Sequence, residues 1–190
     1  MPRLSTILSG INDGSRILIF AQTKRSVDSI VQNLRHASIA ALGIHGDKNQ
    51  AERDWVLAQF KSGAQNVLVA TDVASRGLDV KEIKWVINYD MPQDIEDYVH
   101  RIGRKTKDGF NEGNSITFFT RSDGRLAAKL VSIMEEAEQE VRPELKQAAA
   151  SAHHGGGRSR YSRGGGRRGG GGGGFRGGSR TGANNIPLGR

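Results

Sequence analysis

Short apolar segments alternate with amphipathic helical patterns along the first 120 residues of the chain. Residues 16–21 and 66–70 are almost wholly hydrophobic. Strands covered on both faces have this composition, whereas a strand with one wet face alternates apolar and polar residues. The alternation of such strands with helices predicts an α/β domain, in which a parallel sheet carries helices on both faces.

The spacing of apolar residues also predicts the individual elements. Helices are predicted over 4–11, 24–37, 50–62 and 94–103, with a last helix through 134, and strands over 16–21, 38–44, 66–70, 84–89 and 115–120. Ser122 is the expected N-cap of the last helix. Pro143 is expected to end this region, followed by a short helical or irregular exit through Ala150.

The ends of the strands predict where a ligand would bind. In parallel sheets the ligand lies beyond the carboxyl ends of the strands. The loops after Phe20, Ile44, Ala70 and Tyr89 should therefore share one edge. Because most of the polar clusters of the sequence fall in or just after these loops, we expect them to form one functional site.

Charge and glycine are concentrated at the C-terminus. Residues 151–190 hold eight Arg and no Lys, Asp or Glu, which leaves 20 basic against 20 acidic residues before them. Of the 26 Gly, 16 follow residue 154, and such a composition cannot bury a core. These shifts predict a domain over 1–142, a linker over 143–154 and a disordered Gly/Arg-rich tail over 155–190.

Several classes of protein are disfavoured by what the sequence lacks. With no Cys, disulfides and thiolate metal sites are excluded, and we expect no metal ligands in the chain. The sequence has neither a signal-peptide core nor an apolar stretch of about 18 residues. We therefore expect a soluble, monomeric domain without a membrane partner, located inside the cell, in the nucleus, the cytoplasm or both.

Two arginines three residues apart, Arg101 and Arg104, close the helix predicted over 94–103, beside His100 and Lys107. Guanidinium groups suit phosphate oxygens and the charge that grows during phosphoryl transfer. Cations at a helix C-terminus are also favoured by the helix dipole, so spacing alone leaves a solvated arginine pair open.

Thr71 follows a predicted strand directly and can donate to a phosphate oxygen. Gly77 allows close approach of the backbone, and Asp79 can accept a hydrogen bond from a ribose hydroxyl. The alternative is an ordinary strand exit, in which Asp72 caps a short helical turn.

Two predicted helices begin with polar residues suited to an anion. Thr23 and Lys24 open the second helix, where free N–H groups attract anions, although a simple Thr cap is the alternative. Gln50 and Arg53 lie in the first turn of the third helix, where Arg opposes the dipole unless an anion or a neighbouring acid compensates it. Nearby, His45 has no evident partner, and we expect a structural role for it.

The tail spaces arginine with glycine in three triplets that begin at Arg163, Arg168 and Arg176, with Tyr161 before the first triplet and Phe175 before the last. Such a segment suits flexible contact with phosphates and stacking on unpaired RNA bases. A solubilising linker is the alternative.

Taken in order, these segments resemble the motifs of the C-terminal, second RecA-like domain of DEAD-box ATP-dependent RNA helicases, in the branch with an Arg-Gly-Gly tail. The resemblance covers about residues 4–140. It rests on Ile19-Phe20 with Thr23-Lys24, His45-Gly46-Asp47, Gln50-x-x-Arg53, residues 71–79, residues 86–92, His100-Arg101-Ile102-Gly103-Arg104 and residues 115–120.

The resemblance implies a RecA-like fold and a role for each matching residue. Thr23, Lys24, Gln50, Arg53 and Thr71 would bind the RNA backbone. Gly77 and Asp79 would face ATP, whose Mg²⁺ would be held by an N-terminal RecA-like domain that is absent here. His100 and Arg101 would connect to that domain's acidic motif and to the phosphates, with Arg104 as an arginine finger.

The chain departs from the family in two respects. Lys105-Thr106-Lys107 stands where the family usually has Thr-Gly-Arg or Thr-Ala-Arg, so Lys107 replaces a second finger. No phosphate-binding Gly-x-x-x-x-Gly-Lys-Ser/Thr loop occurs, and we expect a fragment or isolated domain that does not hydrolyse ATP alone. A non-enzymatic RNA-binding or annealing module, and a small domain binding another nucleotide, remain as alternatives.

Overall fold

The computed structural model describes residues 2–11, 13–75, 83–103 and 113–155. Its helices are α1 (Pro2–Gly10), α2 (Lys24–His36), α3 (Gln50–Ser62), α4 (Asp72–Ser75), α5 (Ile95–Ile102), α6 (Ala127–Glu136) and α7 (Pro143–Gly155). Its strands are β1 (Arg16–Phe20), β2 (Leu42–Ile44), β3 (Val67–Ala70), β4 (Ile83–Asn88) and β5 (Asn114–Thr117). A 3₁₀ helix (Arg121–Leu126) precedes α6.

The five strands form one sheet in the order β2-β3-β1-β4-β5, and all paired strands are parallel. On one face, Ile17 and Ile19 of the central strand pack with the buried side chains of α1 and α2. On the other face, Leu18 and Phe20 pack with those of α3 and α4. The predicted parallel sheet with helices on both faces is confirmed, and burial of both faces explains the uninterrupted apolar run of β1.

Local signals fix the ends of the helices beside the sheet. Thr23 caps α2 by accepting a hydrogen bond from the Ser26 N–H. Asn49 and Glu52 form a reciprocal capping box at the start of α3. Gly63 ends α3 with φ of 78°, a left-handed conformation that glycine adopts without steric cost.

The second strand is shorter than predicted. We expected it over 38–44, but β2 spans only Leu42–Ile44. The preceding residues end α2 instead, because the Ser38 N–H donates to the Arg35 C=O and the Ile39 N–H to the Leu34 C=O. Ser38 takes a φ of 59°, which an apolar pattern does not reveal.

The C-terminal part of the domain differs from the prediction in two places. The last strand ends at Thr117 rather than at residue 120, and the Thr120 N–H donates to the Asp123 carboxylate at 2.8 Å. Ser122 is therefore not the cap of a long helix but lies within the 3₁₀ helix.

Residues 143–154, which we predicted as a linker with a helical or irregular exit, are helical. Pro143 is the first residue of α7, a position where its missing N–H has no cost. Leu145 of α7 packs against the cluster that contains Tyr98 and Leu130. The helical exit is thus part of the domain's packing. None of the helices in the described ranges is both long and apolar enough to cross a membrane.

Candidate functional site

The loops that follow the carboxyl ends of β1, β2, β3 and β4 lie together, and we call this edge the rim. The Phe20 C=O accepts hydrogen bonds from the N–H groups of Tyr89 and Asp90, at 2.9 and 3.3 Å. The Thr71 N–H donates to the Ile44 C=O at 3.3 Å. The four loops that the sequence placed at one edge are therefore joined through backbone hydrogen bonds, and that prediction is confirmed.

An ion pair joins the start of α2 to the loop after β2. Lys24 Nζ lies 2.5 Å from a carboxylate oxygen of Asp47, and both side chains are more than half exposed. The hydrogen bond from the Lys24 ammonium lowers the pKa of the Asp47 carboxyl below its ordinary value. Lys24 is thus positioned at the rim but paired, and an RNA phosphate would have to replace Asp47 as its partner.

His45 anchors the same loop. The imidazole is buried, its Nε2 lies 3.1 Å from Asp28 Oδ1, and its Nδ1 accepts from the Asp47 N–H at 3.4 Å. His45 thus joins α2 to the loop after β2. Sequence reasoning found no partner for His45 because Asp28 lies 17 residues earlier, in α2.

Arg53 lies in the first turn of α3, and its two acidic neighbours in sequence are bonded to other groups. Glu52 accepts from the Asn49 N–H in the capping box, and Asp54 accepts from Gln50 Nε2 at 2.8 Å. The Arg53 Nε is buried without a hydrogen-bond partner within the described part of the chain. A guanidinium donor that is buried without an acceptor is costly, which sets Arg53 apart from the paired cations of the rim.

Thr71 lies between β3 and α4. Its C=O accepts from the Ser75 N–H at 3.0 Å, which begins the short helix α4. Its side-chain hydroxyl makes no hydrogen bond to any of the residues that the structure describes. The hydroxyl is partly exposed at the rim, next in sheet order to the loop carrying Thr23.

Arg101 is buried beneath the rim. The guanidinium donates from Nε and Nη2 to the two carboxylate oxygens of Asp72, both at 2.7 Å. Its Nη1 donates to Asn88 Oδ1 at 3.1 Å and to the Asp90 C=O at 2.8 Å. The same group lies over the Phe20 ring, 4.9 Å from its centroid.

The contacts of Arg101 lie almost wholly within the domain. The side chain is 3% exposed, and a bidentate carboxylate with two further acceptors uses four of its five N–H donors. In this arrangement Arg101 joins α5, α4 and the end of β4. His100, beside it in α5, is exposed.

The pattern of the sequence did not reveal the partners of Arg101. Asn88 is fully buried at the end of an otherwise apolar strand, and that position was the available signal. A buried side-chain amide requires a hydrogen-bond partner, and its oxygen accepts from Arg101 while its nitrogen donates to Thr117 at 3.0 Å.

The remaining candidate residues lie outside the described residues. They are Gly77, Asp79, Arg104, Lys107, Arg163, Arg168 and Arg176. Within the described ranges, no group of three His, Asp or Glu side chains is arranged to hold a metal ion.

Together, the parallel sheet, its two helical layers and the polar rim define a RecA-like α/β domain. Residues 2–109 match the model of the helicase conserved C-terminal domain family. The structure is similar to that of the E. coli DEAD-box protein SrmB bound to the regulator of ribonuclease activity A, with 31% identity over 76% of this chain and 84% of that chain and a TM-score of 0.64. The chain therefore belongs to the helicase C-terminal domain family and is of the DEAD-box type.

Curated relatives agree with this assignment. The chain is 56% identical to DEAD-box ATP-dependent RNA helicase 20 of Oryza sativa subsp. japonica over 143 residues, 75% of this chain and 29% of the relative. It is 58% identical to the ATP-dependent RNA helicase DBP2 of Saccharomyces cerevisiae over 130 residues, 68% of this chain and 24% of the relative. The chain thus spans less than a third of these relatives.

Proposed function

We propose that this domain supplies the C-terminal half of an ATP-dependent RNA helicase and binds the RNA backbone through its rim. The observation that supports the proposal is a pair of rim donors without partners among the described residues, the Arg53 Nε and the Thr71 hydroxyl. Thr23, Lys24 and Gln50 lie at the starts of the neighbouring helices α2 and α3. Hydroxyl and guanidinium donors suit phosphate oxygens, so the contact would position RNA without reading its sequence.

The ATP side of the proposal rests on the family motifs. Gly77 and Asp79 would contact the nucleotide, and Arg104, with Lys107 in place of a second arginine, would stabilise negative charge on the phosphates. Mg²⁺ would be held by the N-terminal RecA-like domain of a complete helicase. A single arginine finger is worth about 10³–10⁵ in rate, so lysine in place of arginine at position 107 would lower the rate of ATP hydrolysis.

We assign Arg101 a positioning role. Its hydrogen bonds to Asp72, Asn88 and Asp90 fix the segments that lead into and out of the rim. By holding α4 against α5, Arg101 orients the neighbouring Thr71 and His100. Its loss would therefore disturb RNA contacts and ATP contacts together.

A chimera tests the enzymatic function. The full chain is fused to the N-terminal RecA-like portion of the rice helicase 20, in place of that protein's own C-terminal domain. We expect RNA-stimulated ATP hydrolysis by the chimera, and no turnover above a buffer blank from the chain alone. The intact rice protein is the positive control, and a chimera with Arg104→Ala is the matched negative control.

The departure at Lys105-Thr106-Lys107 favours a second candidate, a non-enzymatic RNA-binding or annealing module. Lysine keeps the charge of a finger but lacks the planar fork of arginine. A folded chimera that binds RNA yet hydrolyses no ATP, with Lys107 or with Lys107→Arg, supports the module. A chimera whose rate rises on Lys107→Arg supports the helicase.

A further inference from the structure

A groove lies at the sheet edge formed by β2. Its volume is about 530 Å³, and it separates α2 from α3, which pack on opposite faces of the sheet. The outermost strand β2 contributes Leu42 and Gly43 to its lining. The two helices thus form the walls of the groove, and a strand edge forms its floor.

The strand edge offers one unpaired backbone unit. The Ile44 C=O accepts from Thr71, so Ile44 and Leu42 direct their backbone groups toward β3. Gly43, between them, therefore directs its N–H and C=O into the groove, and no residue in the described ranges bonds to either group. An edge strand of this kind is a template for an added strand.

The acidic side chains of the groove have hydrogen-bond partners, whereas its basic side chains have none among the described residues. Asp28 is bonded to His45, and Glu52 is bonded to the Asn49 N–H. Arg35 and Lys48 also line the groove, and neither side chain has a hydrogen-bond or ion-pair partner within the described residues. Asp28 and Glu52 thus have donors within the domain, whereas Arg35 and Lys48 have no acceptors among the described residues, so the occupant should offer acidic groups to these two cations.

The wall on the α3 side presents an aromatic ring. Trp55 lines the groove and is 57% exposed, although α3 buries Val56 and Phe60 on its inner face. Exposed tryptophan is costly in water and common at binding surfaces. An apolar side chain of an occupant could cover it.

We propose that this groove docks an extended acidic peptide segment of a partner protein. The segment adds one backbone pair at Gly43, places carboxylates beside Arg35 and Lys48, and covers Trp55 with an apolar side chain. Because β2 has only three residues, most of the affinity comes from side chains rather than from strand pairing.

RNA fits the same groove less well. A nucleic-acid backbone carries a charge at every nucleotide, and the groove holds the carboxylates of Asp28 and Glu52 beside its two cations. A nucleic-acid backbone also has no peptide unit that could pair with the Gly43 N–H and C=O as a neighbouring strand does. A peptide can place its acids at alternate positions, facing the cations only.

The test begins with a library of random 12-residue peptides displayed on phage and selected on the full chain. Selected peptides are synthesised with a fluorophore, and their affinity is measured by fluorescence anisotropy. We expect Asp or Glu at alternate positions with an apolar residue between them. Arg35→Glu with Lys48→Glu, and separately Trp55→Ala, should each weaken binding by about tenfold or more.

A matched control separates the groove from net charge. Arg3→Glu with Lys61→Glu makes the same change of charge at exposed positions outside the groove and should leave the affinity within about twofold. On binding, hydrogen exchange of the Gly43 amide should slow at least tenfold.

Three results would overturn the docking site: selected peptides without acids, affinities equal in groove and control variants, or an unchanged exchange rate at Gly43. Competition of oligouridylate for the groove, lost on Arg35→Glu with Lys48→Glu, would assign it to RNA instead. None of these readouts uses ATP hydrolysis, so the proposed helicase function stands or fails separately.

Discussion

Replacing Arg101 with alanine tests whether one buried guanidinium holds the rim together. The substitution leaves the Asp72 carboxylate, the Asn88 amide oxygen and the Asp90 C=O without their donor. Breaking a buried ion pair by removing one partner costs about 3–5 kcal/mol. Because the Asp72 side chain is 31% exposed, water can solvate part of its charge, and we expect about 3 kcal/mol.

Urea unfolding followed by far-ultraviolet circular dichroism measures this loss of unfolding free energy. A loss of that size lowers the melting temperature by about 10 °C in a domain of this length. Arg125→Ala is the matched control, since that guanidinium is exposed and donates to the Gln93 C=O at 2.8 Å. It should cost less than about 1 kcal/mol.

A double-mutant cycle with Asp72→Asn isolates the pair, and we expect a coupling free energy above about 1.5 kcal/mol. Arg101→Lys should recover part of the stability, since it keeps the charge without the bidentate fork. If Arg101→Ala costs no more than Arg125→Ala, the guanidinium does not hold the rim, and the positioning role fails.

Three further outcomes are expected. Arg53→Ala should weaken binding of single-stranded RNA by the chimera and reduce the slope of log affinity against log salt by about 0.7. Anisotropy titrations at several salt concentrations measure this slope, and an unchanged slope contradicts a contact between Arg53 and an RNA phosphate. Deleting residues 155–190 should lower RNA affinity and flatten the same plot, whereas a parallel plot contradicts an RNA-binding tail. Lys24→Met should raise the Asp47 pKa in a carboxyl-carbon NMR titration. Because the Asp47 pKa is lowered in the folded protein, the ion pair stabilises the fold above about pH 4. This stabilisation disappears as the pH falls through the lowered pKa.

The fold was predictable because its central strands β1 and β3 are buried on both faces. An apolar run such as Arg16–Phe20 fits a central parallel strand and little else, and the rim follows from parallel topology alone. Local caps were partly readable, as at Thr23, where a hydroxyl precedes a helical pattern. The Ser122 cap failed because Thr120 and Asp123 begin a 3₁₀ helix first, and short polar windows contain both signals.

The position of the candidate residues at one edge was predictable, but their pairing was not. Motif order placed Arg53, Thr71 and Arg101 there, yet it could not show that Arg101 is bonded to Asp72, or that the Arg53 Nε has no partner among the described residues. Such pairings join residues that are far apart in sequence, and they depend on side-chain geometry. Periodicity carries no information about that geometry.

Photo-crosslinking of RNA tests the central claim, that the rim binds the RNA backbone, most directly. The chimera is mixed with 4-thiouridine RNA and a non-hydrolysable ATP analogue, irradiated, and mapped by mass spectrometry. We predict crosslinked peptides that contain Thr23, Arg53 or Thr71, and none at the opposite edge, where Lys84 pairs with Asp13. Crosslinks confined to residues 155–190 or to that opposite edge, with the rim unlabelled, would contradict the account.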